Sequence, residues 1–282
     1  MLKVSALYIY PIKSLGGIPV RTATLTDRGF ANDRCWMLVD EDNNFLTARE
    51  HSEMALIKTE LSQDDIVVRH ISKDIPAFHI PLQPTGDHCI VRVWEDTCAA
   101  RYVDAAADRW FSRALGISCR LVYMPKSTQR KVDPNYAHQD EITSFSDGYP
   151  LLLIGQSSLD DLNSRMSEPL PMERFRPNIV FTGGAPYQED EMKVFKIADA
   201  TFYGVKLCAR CVMTTIDTST GEKGKEPLRT LSQYRLRDKK VLFGQNLLFD
   251  NASNTRIISI GDAITLGQMQ PPAIAKTDSR PE

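Results

Sequence analysis

Between residues 2 and 123 the chain repeatedly breaks into short apolar–polar alternations separated by turn residues, and that rhythm confines it to a mainly β architecture. Residues 2–10 and 18–26 alternate as strands on either side of Pro11-Ile-Lys-Ser-Leu-Gly-Gly17. A further strand is expected over 33–40, with the turn Glu41-Asp-Asn-Asn44 returning 45–49 as its hairpin partner. Short runs follow at 55–61, 65–70, 77–81 and 89–93, broken by Pro84-Thr-Gly86 and charged turns. Strands this short and regular suit a barrel or a sandwich.

The period then changes. Residues 99–115 carry apolar side chains at Val103, Ala106, Ala107, Trp110, Phe111 and Leu115, the spacing of an amphipathic helix, and Gly116 is a fitting stop. After a strand at 119–123, residues 124–140 hold Lys126, Arg130, Lys131 and Pro134 with no apolar period, which predicts a mobile connection or lid at the start of a second domain. Beyond it come a buried strand at 151–154 and a helix with Ser157 as its cap. Strands are expected up to Phe181, at 200–205, at 247–249 and over 256–266, with a short helix at 227–234.

A chain of 282 residues has ample length for two domains. Its 34 basic and 36 acidic residues leave a formal charge of -2, so nucleic acid finds no global attraction and any basic patch is local. No apolar stretch reaches the roughly 20 residues that span a bilayer, and the N-terminus alternates like a strand rather than a signal peptide. A cytoplasmic location is expected, with no membrane partner. Six cysteines are too sparse for a disulfide framework, so free thiols are expected.

Two stretches carry chemistry. Lys13 and Ser14 sit in a turn with paired glycines, which suits either an anionic ligand or a plain hairpin; Arg34 and Arg49 are placed to approach each other across the next pairing, for a carboxylate or for an anion. The second is Lys206-Leu-Cys-Ala-Arg-Cys-Val-Met-Thr-Thr-Ile-Asp217, which reads as the end of one strand and the start of another. Cys208-x-x-Cys211 is half of a zinc knuckle, but neither a second pair nor histidines at metal spacing accompany it. A thioredoxin-like pair needs a helix where Val212–Ile216 is β-branched and strand-like. Two small core cysteines, or one thiolate acting as ligand or nucleophile beside Arg210, remain.

Cys208-Ala-Arg-Cys-Val-Met-Thr-Thr-Ile-Asp217, followed by Gly221, Lys225-Glu-Pro-Leu228, Tyr234-Arg235 and Leu242-Phe-Gly-Gln245, resembles the MOSC domain, named for the C-terminal domain of molybdenum cofactor sulfurase. Ile9-Tyr-Pro-Ile-Lys-Ser14, Asp33-Arg34 with Trp36, and Thr47-Ala-Arg49 resemble the β-barrel domain that precedes it in the amidoxime-reducing branch. So do Leu159-Asp-Asp-Leu-Asn-Ser-Arg165 and Phe175-Arg-Pro-Asn-Ile-Val180. The resemblance implies a mainly β (α+β) fold of two β-barrel-like domains with a few peripheral helices: residues 1–123, then 124–267, then a polar tail over 268–282.

It also implies a molybdenum cofactor, a molybdopterin, with Cys211 as metal ligand and catalytic residue. Lys13, Ser14 and Arg34 match positions that hold the phosphate end of the pterin, and Arg176, Asn178 and Arg210 match others that line the cofactor. Ser146 falls in a further contact loop, where Gly148 and Tyr149 replace small hydroxyl residues. The implied activity is reduction of N-hydroxylated compounds such as amidoximes, hydroxylamines and N-hydroxylated bases; a carrier of the cofactor or of sulfur is the alternative. Only sixteen residues follow Leu266, none a cysteine, so electrons are expected from a separate ferredoxin, flavodoxin-like or cytochrome b5-type protein with its reductase.

Overall fold

The computed structural model describes residues 1–251 and 256–272. The fold is mainly β with few helices, as expected. Its largest sheet has nine strands, in the order Ile18–Val20, Lys3–Ile9, Ile179–Thr182, Leu151–Gly155, Lys240–Phe249, Ala200–Ala209, Val194–Ile197 and Ile264–Leu266, with Leu236–Arg237 paired to the start of Lys240–Phe249. Thus Lys3–Ile9, from the first residues of the chain, is hydrogen-bonded antiparallel to Ile179–Thr182. Leu153 and Ile154 then run parallel to Ile179 and Val180. Both faces of these central strands are buried, which is why 151–155 and 179–182 read as continuous apolar runs.

The other strands of the N-terminal half form a four-stranded sheet, Trp36–Val39, Arg120–Tyr123, Asp96–Tyr102 and His88–Val93, and a three-stranded one, Ile57–Leu61, Asp65–His70 and Phe78–Pro81, while Thr22–Thr26 and Gly29–Phe30 join Ile257–Ser259 in another three-stranded sheet. The expected return of 45–49 against 33–40 is present as the antiparallel bridge Val39 to Phe45.

Helix α1 spans Ala105–Leu115, not 99–115. Asp104 is its N-cap, accepting from the Ala107 N–H at 2.7 Å, and Gly116 closes it in the left-handed region at φ 71°. Its buried residues, Ala107, Trp110, Phe111, Ala114 and Leu115, keep helical spacing. Residues 99–102 belong instead to Asp96–Tyr102, where Cys98 and Ala100 point inward. Alanines fit either period, so only the cap at Asp104 separates helix from strand. The short α2, Gln156–Asn163, is capped by Gly155 without a side-chain bond, while Ser157 donates to the Gly184 carbonyl. The third helix, α3, is Leu228–Ser232.

Two loop expectations need correcting. Within 124–140, Arg130 is only 5% exposed: its Nε donates to Asp96 and its Nη1 to the Ser144 and Ser146 carbonyls at 2.8 and 2.6 Å. The Arg130 part of that segment is anchored to the sheet and to the 144–146 loop. Residues 267–270 also extend the main sheet, since Val194 N–H donates to Gln268 O and Met269 bridges Met192. The rest of the expected tail, 273–282, lies outside the described residues. Among the described residues no helix is long and apolar enough to cross a membrane.

Because Phe181 is fully buried in the strand that pairs Lys3–Ile9 with the C-terminal half, Phe181→Ala is expected to cost about 3–5 kcal/mol in urea denaturation. Both halves should lose structure in the same transition.

Candidate functional site

The strand Ala200–Ala209 carries an irregularity in register between Leu207 and Ala209, and pairing ends at Arg210, whose N–H donates to the Val241 carbonyl at 2.7 Å. Cys211 is extended (φ −124°, ψ 177°), and Val212–Thr215 then forms a 3-10 turn rather than the strand expected there. The hydroxyls of Thr214 and Thr215 bond back to the carbonyls of Cys211 and Val212, so these threonines satisfy a turn through their side chains. Arg174 fastens the turn from behind, its Nε donating to the Thr214 carbonyl at 3.1 Å. Simple alternation would send Arg210 and Cys211 to opposite faces; with the strand interrupted, Cys208, Arg210 and Cys211 line one cleft.

That cleft has a volume of about 440 Å³, and Lys13, Ser14, Arg34, Ser146, Arg176, Asn178, Arg210 and Cys211 all line it. They come from five separate segments. At one end the chemistry is cationic. Arg34, at φ 51°, directs Nη1 to Asp33 at 2.6 Å and to the Asn178 side-chain oxygen at 3.0 Å, and Nη2 to the Arg176 carbonyl. Arg176, at φ 55°, donates to the Leu15 carbonyl at 2.6 Å. Both guanidinium groups lie over the Tyr10 ring, at 4.3 and 4.2 Å from its centroid. Burial, and then the Arg34 charge, push Arg176 down to about 10.

Lys13 is 4% exposed and donates to the Phe145 carbonyl at 2.8 Å and to Asp147 at 2.6 Å. Burial pushes it down to about 8. Enclosure acts to raise the Asp147 carboxyl, but Lys13, Arg49 and Arg34 outweigh it and hold that group well below the usual carboxylate range. Ser14 stands beside Lys13 in the left-handed region at φ 69°. The paired glycines serve packing here: the Gly16 N–H is taken by the Ile57 carbonyl, and a Cβ on Gly17 would overlap the Tyr10 ring.

Asn178, fully buried, bonds at once to Arg34, the Leu152 N–H and the Tyr8 carbonyl. Ser146 lines the cleft, yet its hydroxyl is shared with Thr143 and donates to the Tyr149 carbonyl, so that loop is tied to itself.

At the other end the Arg210 guanidinium is held by the Cys208 sulfur at 2.9 Å and the Phe175 carbonyl at 2.7 Å, leaving Nε buried without a partner. Among the described residues the Cys211 thiol makes no hydrogen bond. Nor is there, among them, a group of three or more histidine, cysteine or acidic side chains able to hold a metal ion. A metal at Cys211 therefore has to bring most of its ligands with it, whereas an anion at the far end finds a prepared site. Lys206, from the cysteine stretch, completes the walls with Trp94, Asp147 and Asn246, which were not singled out in the sequence, and Tyr10 lies under the guanidinium pair. Trp94 at φ 55° and Asp147 carry no local sequence signal, because their partners are distant in the chain.

Comparison with known proteins gives the chain a family. Residues 1–118 match the family model described as MOSC N-terminal beta barrel domain, and residues 140–265 match the MOSC domain. Mitochondrial amidoxime-reducing component 1 of Mus musculus is 33% identical over 93% of this chain and 82% of its own length. Mitochondrial amidoxime reducing component 2 of Homo sapiens is 34% identical over 83% of this chain and 73% of its own. Molybdenum cofactor sulfurase of Oryza sativa subsp. japonica is 32% identical over 89% of this chain, which spans only 33% of that longer protein. Two matches that together span the strand pairing and the cysteine turn leave one assignment: the chain belongs to the MOSC family, in the arrangement of an N-terminal β-barrel domain followed by a MOSC domain.

Proposed function

We propose that the cleft binds a molybdenum cofactor of the molybdopterin type and that the protein is an oxidoreductase reducing N-hydroxylated compounds, amidoximes and hydroxylamines among them. The observation that carries this reading is the pairing, in one cleft, of a buried cationic end with an uncommitted thiol at the other. The donor set suits such a ligand. Phosphate needs charge-assisted donors, each worth about 1.5–3 kcal/mol, and Lys13, Arg34 and Arg176 supply them already desolvated. A soft metal needs a thiolate, and Cys211 supplies one. Names among the relatives, amidoxime-reducing component and molybdenum cofactor sulfurase, point the same way.

In this reading each side chain has a task. Lys13, Ser14, Arg34 and Arg176 bind and orient the phosphate end, and Asn178 holds Arg34 in the cleft wall. Arg210, braced by Cys208 and Phe175, offers its unpartnered Nε to the cofactor near the metal. Cys211 ligates molybdenum, while Cys208 acts only through Arg210. Bound there, the cofactor supplies the two-electron chemistry that removes oxygen from the N–OH group. The electrons come from a separate donor protein of the ferredoxin, flavodoxin-like or cytochrome b5 type.

Similarity to the sulfurase keeps a second reading in view, a carrier of the cofactor or of sulfur on Cys211. The cytoplasmic location expected from the sequence finds no support in the relatives, two of which are named mitochondrial.

Full-length protein made in a host that synthesises the cofactor is expected to contain near-stoichiometric molybdenum and to reduce benzamidoxime with an artificial electron donor; molybdenum without turnover points to the carrier. Cys211→Ser should abolish turnover, whereas Cys208→Ser should retain metal and lose no more than about tenfold in kcat, the size of one weakened positioning contact. Full activity in Cys211→Ser protein with bound molybdenum removes Cys211 as ligand. Since Lys13 sits at about 8, phosphate-end binding should weaken as pH rises through that value and the ammonium loses its charge. Calorimetric titration of the cofactor-free protein across that range measures it, and a flat profile excludes Lys13 as the anchoring cation.

A further inference from the structure

The cationic end of the cleft already holds an anion of its own. Asp147 Oδ1 accepts from Lys13 Nζ at 2.6 Å and from Trp94 Nε1 at 3.4 Å, and Oδ2 accepts from Arg49 Nη2 at 3.1 Å. Lys13 is buried, but the Asp147 side chain is 62% exposed and lines the cleft. An incoming anion aimed at Lys13 therefore meets a carboxylate in place. Arg49 is also incompletely satisfied, since its Nε is buried without a partner.

The surroundings allow the carboxylate to leave without disturbing the loop that bears it. Ser146, just before it, is fixed by Arg130 through its carbonyl and by Thr143 and Tyr149 through its hydroxyl. Gly148, just after it, has open space where a side chain would stand. Displacement moves one side chain that opens onto the cleft while its anchors stay.

Resting on the reading of this cleft as a phosphate cradle, we propose that Asp147 is a resident anion that a phosphate end must displace from Lys13 and Arg49, which makes it the residue that selects against free small anions. The selection follows from effective concentration. A tethered carboxylate competes as an intramolecular ligand at millimolar level or above, so a free phosphate or carboxylate of similar charge gains little by replacing it. A ligand also held at Arg34, Arg176 and Cys211 presents its phosphate intramolecularly as well, and a dianion there outcompetes a monoanion. Without Asp147 the buried Lys13 would be uncompensated in the free protein and would take any available anion.

The test is calorimetric titration of full-length, cofactor-free protein with inorganic phosphate. Asp147→Asn is expected to bind phosphate at least roughly tenfold more tightly than the unaltered chain, the factor that corresponds to about 1.4 kcal/mol. Equal or weaker binding by folded Asp147→Asn protein overturns the proposal. Should that variant fail to fold, the unaltered chain decides through the Trp94 indole N–H resonance, assigned by its loss in Trp94→Phe. A shift of that signal as phosphate saturates supports displacement; saturation without a shift overturns it, and no binding to the unaltered chain is the exclusion of free anions that the proposal expects. Lys13→Met separates the two levels of the argument. Phosphate binding that survives it removes the cradle and the proposal together, whereas binding that needs Lys13 but ignores Asp147→Asn removes only the displacement.

Discussion

The side chain of Asp33 is the point on which this architecture turns. It is buried, and one oxygen accepts the Tyr10 N–H at 2.8 Å while the other accepts Arg34 at 2.6 Å. Desolvation acts to raise its carboxyl, and the Arg34 charge with its hydrogen bond acts in the opposite direction. Through Arg34 the same network reaches Asn178, which ties the Tyr8 carbonyl to the Leu152 N–H. One buried acid thus links the end of the first strand, the loop before Trp36 and the centre of the C-terminal half. Removing one partner of such a buried pair costs about 3–5 kcal/mol, so fold and site share a single failure point.

Gathering several cations in one cleft is unfavourable by itself, and the structure limits the cost by different means at each. Arg34 has a carboxylate, Arg176 has the Leu15 carbonyl, and both have the face of Tyr10. Lys13 has Asp147 and the Phe145 carbonyl. At the other end Arg210 leans on the Cys208 sulfur instead of an acid. The two cysteines of the sequence pair are therefore unequal in their surroundings: one sulfur is occupied in holding a guanidinium, the other is uncommitted.

Much of this was legible in the sequence, and the exceptions have physical causes. Alternation marked the strands because one or both faces are buried, and Lys13, Arg34 and Arg176 were marked by the resemblance of their motifs to a known family. Residues 99–102 misled because alanine satisfies either period. The run after Cys211 misled because threonine, a good strand former, can also close a 3-10 turn with its hydroxyl. Arg130 looked like part of a polar loop because its acceptors, the Ser144 and Ser146 carbonyls, are backbone atoms that no residue pattern reveals. Asp147, Trp94 and Tyr10 escaped for a related reason: their significance lies in partners many residues away.

The strand Lys3–Ile9 has its main partner at Ile179–Thr182. On a ribosome adding about 5–20 residues per second, the first strand emerges on the order of ten seconds or more before the strand that completes it. Through that interval Val4, Leu7 and Ile9, all destined for the core, have no sheet to join beyond the short Ile18–Val20 hairpin. The arrangement that brings Tyr10 and Lys13 to the cleft thus makes the nascent N-terminus dependent on protection during synthesis, a demand absent from a chain whose first domain closes on itself.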